Sequence, residues 1–313
     1  MRVGVLCLLL AFAPAAVATD ESPLGLSYVE TKDLKLYYYN YLDFLALLSV
    51  RTFTNARTWQ RRMFDWLPSE PTTVLLQDFA DYGNAHAFAA PRGTLVVDVA
   101  PSSRAFETQP AGERMYSTMN HELVHVVQSD IASDEDRRWR RFFLGKVDAQ
   151  SRNPESLLYS YLTIPRFTTP RWYSQGGAVF LETWMAGGLG RAEGGYDEMV
   201  FRAMVRDDAH FYDPLGLVSR GTKVDFQVGA NAYLYGGRFF TWLAYAYSPE
   251  KVIAWIRRDE GSERYYADQF QQVFGLPLEQ AWQDWIAFER EFQRKNLAEV
   301  RKFPITPHRN LVM

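Results

Sequence analysis

The sequence predicts an α+β protein, in which a strand-containing N-terminal lobe precedes a mostly helical C-terminal lobe. β-rich apolar runs bounded by turn residues occur before about residue 110, whereas helical spacing of apolar residues dominates after about residue 170. The chain has 313 residues, of which 47% are hydrophobic. That length is sufficient for a large core and for division into lobes.

Residues 1–18 have the layout of a secretory signal peptide, with a basic Arg2, an apolar stretch and Ala16-Val17-Ala18 at the expected cleavage site. A membrane anchor is the alternative, but Val3 to Val17 is shorter than the roughly 20 apolar residues that span a bilayer. The only cysteine, Cys7, lies in this segment, so the mature chain would form no disulfide. We therefore expect a secreted or periplasmic protein with no membrane span in the mature chain.

The charge of the chain is nearly balanced, with 34 basic and 37 acidic residues and a net charge of -3. The small basic cluster RRWRR at 137–141 is interrupted by Trp139. Nucleic-acid binding requires a broad positive surface, so we expect this cluster to be a solvated face and expect no nucleic-acid partner.

The N-terminal lobe, residues 19–131, is predicted to contain three strands and two helices. Pro68 and Pro101 end two of these elements, and Asp81-Tyr82-Gly83-Asn84 supplies a turn. The predicted strands are 35–39, the opening of 72–83, and 93–101; the predicted helices are 41–66 and 111–131.

The C-terminal lobe, residues 132–302, begins with a polar, Arg-rich segment at 132–171 for which the pattern predicts no element. Helical spacing then predicts helices at 172–185, 196–206, 234–247, 249–258, 263–273 and 277–302. The tail 303–313 is expected to be extended, either as a frayed terminus or as a link to a further domain.

The segment TMNHELVHVVQSD, residues 118–130, contains the candidate metal ligands and the candidate general base. His121 and His125 are four residues apart in a predicted helix, so their imidazoles project from one face and can bind one tetrahedral ion. Zinc in such a site acidifies a bound water, and Glu122 lies where a carboxylate could take the proton. Of the other histidines, we expect His86 at the rim of the site and His210 in a solvated loop.

The segment PRWYSQGGAVFLETW, residues 170–184, completes a resemblance to the gluzincin (peptidase MA-like) zinc metallopeptidases. In that family the second motif is roughly W-x-x-E-G-x-A, and Trp172, Gly176 and Ala178 occupy its matching positions. The resemblance covers about residues 72–290 and implies a zincin-like fold, with a small mixed sheet and the metal-binding helix in the N-terminal lobe. It also implies zinc as cofactor and a peptide or protein substrate.

The chain departs from the family pattern at the third zinc ligand, because Gln175 stands where the pattern has glutamate. Glu182 matches the position of a carboxylate that orients a zinc-bound histidine in many relatives. Three interpretations remain open. Gln175 ligates zinc through its amide oxygen, or the helix shifts and Glu182 ligates, or zinc is lost and the protein is a catalytically inactive, peptidase-like binding module.

Hydrolysis of a peptide also requires a hydrogen-bond donor for the oxyanion, which gluzincins often take from the helical lobe. Tyr233 and Tyr235 are our candidates. No Gly-x-Met-Glu-Asn segment precedes the metal motif. Relatives use that segment to hold a free amino terminus, so the resemblance favours an endopeptidase.

Overall fold

The computed structural model describes residues 24–81, 83–100, 114–188, 190–215 and 228–306. The signal-peptide prediction for 1–18 and most of the 303–313 tail lie outside the described residues. Within these ranges, no helix is both long enough and apolar enough to cross a membrane.

Five strands form one open, mixed sheet in the order β1-β2-β3-β5-β4. The inner strands β2, β3 and β5 are parallel to one another, whereas β1 and β4 run antiparallel at the two edges. The strands are β1 Leu26–Glu30, β2 Leu34–Tyr39, β3 Thr72–Gln77, β4 Asn84–Phe88 and β5 Thr94–Asp98. The edge strand β4 begins at Asn84, the last residue of the predicted turn.

The described residues form ten α-helices, and the mixture of helix and sheet confirms the α+β class. Two of them, α3 and α4, lie in the polar segment for which no element was predicted. The helices are α1 Asp43–Phe64, α2 Arg114–Asp130, α3 Asp134–Phe142, α4 Ser156–Thr163, α5 Arg171–Met185, α6 Gly195–Arg206, α7 Val228–Ala246, α8 Pro249–Ile256, α9 Tyr266–Phe274 and α10 Leu278–Val300.

The basic cluster at 137–141 belongs to α3, whose first turn is capped by the Ser133 side chain and Asp136. Two of its four arginines, Arg137 and Arg140, form bonds to other parts of the chain. Arg137 pairs with Asp134 and Glu260, and the Arg140 guanidinium donates to backbone carbonyls, including that of Asp130. Through these bonds the two guanidinium groups connect separate segments of the chain.

The hydrophobic core extends from the sheet into the C-terminal helices. Leu36, Val74 and Leu95, on three neighbouring strands, are fully buried and belong to the same apolar cluster as Leu123 of α2. That cluster also includes Trp282 of α10. Helix α2 thus packs between the sheet and the helical part of the protein, with every residue from Thr118 to Asp130 buried.

Helices α5 and α7 cross at a pair of glycines. A Cβ on Gly176 would lie 2.6 Å from backbone atoms of Gly236, and one on Gly236 would lie 2.2 Å from the carbonyl oxygen of Trp172. Only glycine permits this approach, because backbone atoms cannot give way as a flexible side chain does. The crossing fixes the position of α5 next to Gln175, the neighbour of Gly176.

Candidate metal centre and active site

Helix α2 brings the three residues of the His-Glu-x-x-His motif to one buried place. His121, Glu122 and His125 are 5%, 6% and 6% exposed. The two imidazole rings lie with centroids 5.0 Å apart and planes at 82°. The i,i+4 spacing on a regular helix produces this neighbourhood, as the sequence predicts.

A carboxylate from α5 and an arginine lie behind His121. Glu182 Oε2 is 2.6 Å from His121 Nδ1, and Arg191 donates to Glu182 Oε1 and Oε2, each at 2.7 Å. Burial alone would raise the pKa of Glu182, but Arg191 and His121 outweigh it and lower that pKa to about 2. An ionised carboxylate can only accept, which favours the His121 tautomer with its proton on Nδ1 and its lone pair on Nε2; Arg191 Nη2, a donor that lies 2.9 Å from the same Nδ1, acts against that proton.

The second imidazole is held in the same tautomer by a residue of its own helix. His125 Nδ1 lies 3.1 Å from Gln128 Oε1, to which it donates. Its Nε2 is buried without a hydrogen-bond partner among the described residues. Burial and the neighbouring His121 lower the pKa of His125 to about 3, so this ring is neutral and presents an unused lone pair.

Gln175 of α5 supplies the third group. Its Oε1 lies 3.0 Å from His121 Nε2, and the Gln175 side chain is also near enough to His125 to oppose the lowering of the His125 pKa. Two lone-pair atoms at 3.0 Å repel unless a proton or a cation lies between them. Rotation of the amide would turn its NH₂ group toward Nε2 and supply that proton without a metal ion.

The donors fit a divalent metal ion. Two imidazole nitrogens and an oxygen are ligand types that zinc accepts, and the buried Nε2 of His125 has no hydrogen bond to any other described residue. Within the described ranges, no three His, Cys, Asp or Glu side chains are placed to hold a metal ion together. An ion bound here would therefore require the amide oxygen of Gln175.

The Glu122 carboxyl group lies in the same buried region. Burial raises its pKa above the ordinary value for glutamate, while His121, His86 and Arg191 act in the opposite direction. His86, expected at the rim, lies on the exposed side of the edge strand β4, where its Nε2 is 3.3 Å from the Asn84 amide. His86 is thus close enough to Glu122 for an electrostatic interaction.

The structure brings one of the two candidate tyrosines to the histidines. The Tyr233 ring lies 6.1 Å from the His121 ring, nearly parallel to it, at 20°. Tyr235 packs instead against Trp282, and its hydroxyl accepts from the Tyr212 N–H at 3.4 Å. Residues two apart on a helix face different sides, so α7 can present only one of them, and Tyr235 leaves the candidate site.

His210 takes no part in this cluster. His210 is exposed and contacts the Tyr212 ring, and His308 lies outside the described residues.

Three partners of the site were not identified from the sequence. Gln128 follows His125 by three residues, a helical spacing that could have indicated the contact. Arg171, which contacts Tyr233, precedes Gln175 by four residues on α5, so the same spacing could have indicated it. Arg191 is different, because nothing in its sequence position relates it to α2 before α5 packs against that helix.

The comparisons with known proteins add no family to this description. No protein-family model matches the chain, and no curated protein matches it either. The chemistry of the site is therefore inferred from its own groups: two Nε2 lone pairs, an amide oxygen, a buried carboxyl group and a tyrosine hydroxyl.

Proposed function

We propose that this protein is a zinc-dependent endopeptidase of the gluzincin type with a zincin-like fold. The observation that carries the proposal is the convergence of His121 Nε2, Gln175 Oε1 and His125 Nε2, which has no hydrogen bond among the described residues, beside Glu122. In this proposal His121, His125 and Gln175 hold the metal, which when bound acidifies a water and polarises the substrate carbonyl.

The other residues would act on protons and charge. Glu122 accepts a proton from the attacking water and later delivers it to the leaving amine, as a general base and acid. Tyr233 donates a hydrogen bond to the developing oxyanion, and its place beside His121 supports that role. Glu182 keeps the His121 tautomer in which Nε2 faces the metal.

The neutral amide of Gln175 changes the balance of the site relative to glutamate. A ligand without charge holds a cation less tightly, and it leaves the bound water more acidic. We infer a zinc site that is weaker than one with glutamate in this position, with hydrolysis retained at a reduced level.

An inactive binding module is the second candidate. The contact between His121 Nε2 and Gln175 Oε1 favours it, because a rotated amide would satisfy the imidazole without any metal. The Gln175→Glu variant separates the candidates. A large gain in zinc affinity and in peptide cleavage would indicate an activity impaired or lost in the present sequence, whereas no gain would indicate that glutamine is already competent.

Glu122→Gln tests the catalytic role. We expect the variant to keep zinc and to lose hydrolysis of an internally quenched peptide library. Turnover equal to that of the unsubstituted protein would remove Glu122 from the role of base.

We further propose that the protein is exported and acts outside the cytoplasm. The support is the layout of residues 1–18, with its basic start, apolar stretch and Ala16-Val17-Ala18. Amino-terminal sequencing of the exported product, expected to begin after Ala18, tests this proposal.

A further inference from the structure

A second arginine lies near the candidate site, in contact with Tyr233. Arg171 is the first residue of α5 and precedes Gln175 by four residues, so both side chains leave the same face of that helix one turn apart. The Arg171 side chain is exposed, unlike that of Arg191, which Glu182 occupies.

Tyr233 holds Arg171 in place. The Arg171 guanidinium carbon lies 5.5 Å from the centre of the Tyr233 ring, within the range of a cation–π contact. The guanidinium also donates to the Tyr233 hydroxyl oxygen at 3.5 Å, which leaves the hydroxyl proton available to another acceptor. Since the same ring lies against His121, a line of contacts leads from the proposed metal ligand to Arg171.

The charge of Arg171 does not stabilise helix α5. A cation in the first turn of a helix opposes the helix dipole, which favours negative charge there. None of the carboxylates in the described part of the chain forms an ion pair with Arg171. The guanidinium is therefore held, exposed and without an anionic partner, beside the catalytic groups.

We propose that Arg171 binds a carboxylate of the peptide substrate. That the bound peptide is a substrate rests on the proposed peptidase function. The planar fork of a guanidinium matches a carboxylate with two parallel hydrogen bonds. A peptide offers that group either as an Asp or Glu side chain or as its free C-terminus. The substrates are thus peptides with a carboxylate close to the scissile bond.

Binding to the Glu122→Gln protein tests the inference without hydrolysis. Three N-acetylated peptides of one length are titrated by calorimetry: one with an internal Glu and an amidated end, one with Gln and a free C-terminus, and one with Gln and an amidated end. We expect one of the first two to bind about tenfold more tightly than the third, the size of effect typical of a charge-assisted hydrogen bond. The tighter peptide identifies the source of the carboxylate.

Two further variants assign the preference to Arg171. Arg171→Gln in the same background is expected to reduce the preference to less than about twofold. Arg62→Gln is the matched control, because Arg62 forms a similar contact with the Trp59 ring on α1, 5.6 Å from its centre. That variant is expected to keep the preference.

Titration of the metal-free protein separates this inference from the proposed function. A carboxylate preference that persists without metal and requires Arg171 supports the inference even if the protein holds no zinc and cleaves nothing. Equal binding of the three peptides, binding of none of them, or a preference that survives Arg171→Gln overturns it.

Discussion

Glu182 Oε2 lies 2.6 Å from Nδ1 of His121, and this bond joins α5 to the helix that carries the metal motif. Because Glu182 contacts Nδ1 of His121, its carboxylate lies on the other side of that ring from Nε2, the nitrogen next to Gln175, and Arg191 bonds both of its oxygens there. Of the three interpretations open from the sequence, the geometry thus supports the two that give Glu182 an orienting role or leave the site without metal.

Glu182→Gln should weaken zinc binding and destabilise the protein together. Outer partners of metal-bound histidines typically change metal affinity by about 10- to 100-fold. Loss of the carboxylate also leaves Arg191 buried without its counter-charge, at a cost of roughly 3–5 kcal/mol. Competition with a zinc chelator measures the first effect, and urea unfolding measures the second.

Glu289→Gln is the control for that experiment. Glu289 is 1% exposed and pairs with Arg238 much as Glu182 pairs with Arg191. We expect a similar loss of stability with unchanged zinc affinity. Equal losses of zinc affinity in both variants would mean that Glu182 acts only through stability.

Tyr233→Phe should slow catalysis while leaving substrate affinity nearly intact. Removal of one oxyanion donor typically reduces kcat by about 10²- to 10³-fold. Tyr235→Phe removes a buried hydroxyl of the same helix that contacts Tyr212 instead, so we expect about 1 kcal/mol less stability and unchanged kcat. Steady-state kinetics that show the same kcat for Tyr233→Phe and the unsubstituted protein would exclude the oxyanion role.

Gly236→Ala should disturb the site from a distance. The added methyl group would contact the backbone of Trp172 and Gly176, and overpacking of this kind costs roughly 1–3 kcal/mol. Because the crossing positions Gln175, zinc affinity should fall as well. Gly195→Ala, at the start of α6, where the added methyl group would meet no atom within 4 Å, should retain both properties. Wild-type zinc affinity in Gly236→Ala would show that the crossing does not position the ligand.

The buried carboxyl group of Asp197 should make the stability of the folded protein depend on pH. The residue is 2% exposed, and its Oδ1 lacks a hydrogen-bond partner among the described residues. Burial raises its pKa to about 7. Arg191 and Arg238 oppose this shift, and Glu182 adds to it. A carboxyl group whose pKa is higher in the folded state stabilises that state at low pH. This stability is lost as pH rises from about 4 through 7.

Asp197→Asn should therefore stabilise the protein on the order of 2 kcal/mol more at pH 8 than at pH 5. Urea unfolding at the two pH values, with a chelator present so that zinc binding does not contribute, measures the difference. Equal gains at both values would show that Asp197 is not the titrating group.

The elements that could be predicted from the sequence are those with strong apolar periodicity. The spacing over 277–302 predicts α10 within two residues of Leu278–Val300, because Trp282 and Trp285 are buried on one face of that helix. The short helices α3 and α4 could not be found in the same way. Helix α3 buries only Asp136, so ion pairs and a capping box hold it, and these leave no apolar pattern.

Some residues of the site could be predicted from the sequence in the same way, and others could not. Local spacing along one helix predicts the proximity of His121 and His125, and the family pattern singles out Gln175 and Glu182. The partnership of Glu182 with Arg191 depends on how α5 and the glycine-rich turn pack against α2. Such contacts between distant segments become visible only in three dimensions.

Zinc content tests the central claim most directly. Purified protein, dialysed against metal-free buffer and analysed by mass spectrometry for bound metal, should contain about one zinc per chain, because three protein ligands make a complete catalytic site. His125→Ala should contain far less, and His210→Ala, which changes an exposed histidine away from the cluster, should match the unsubstituted protein. Near-zero zinc in the unsubstituted protein, or full zinc in His125→Ala, would contradict the assignment of this site.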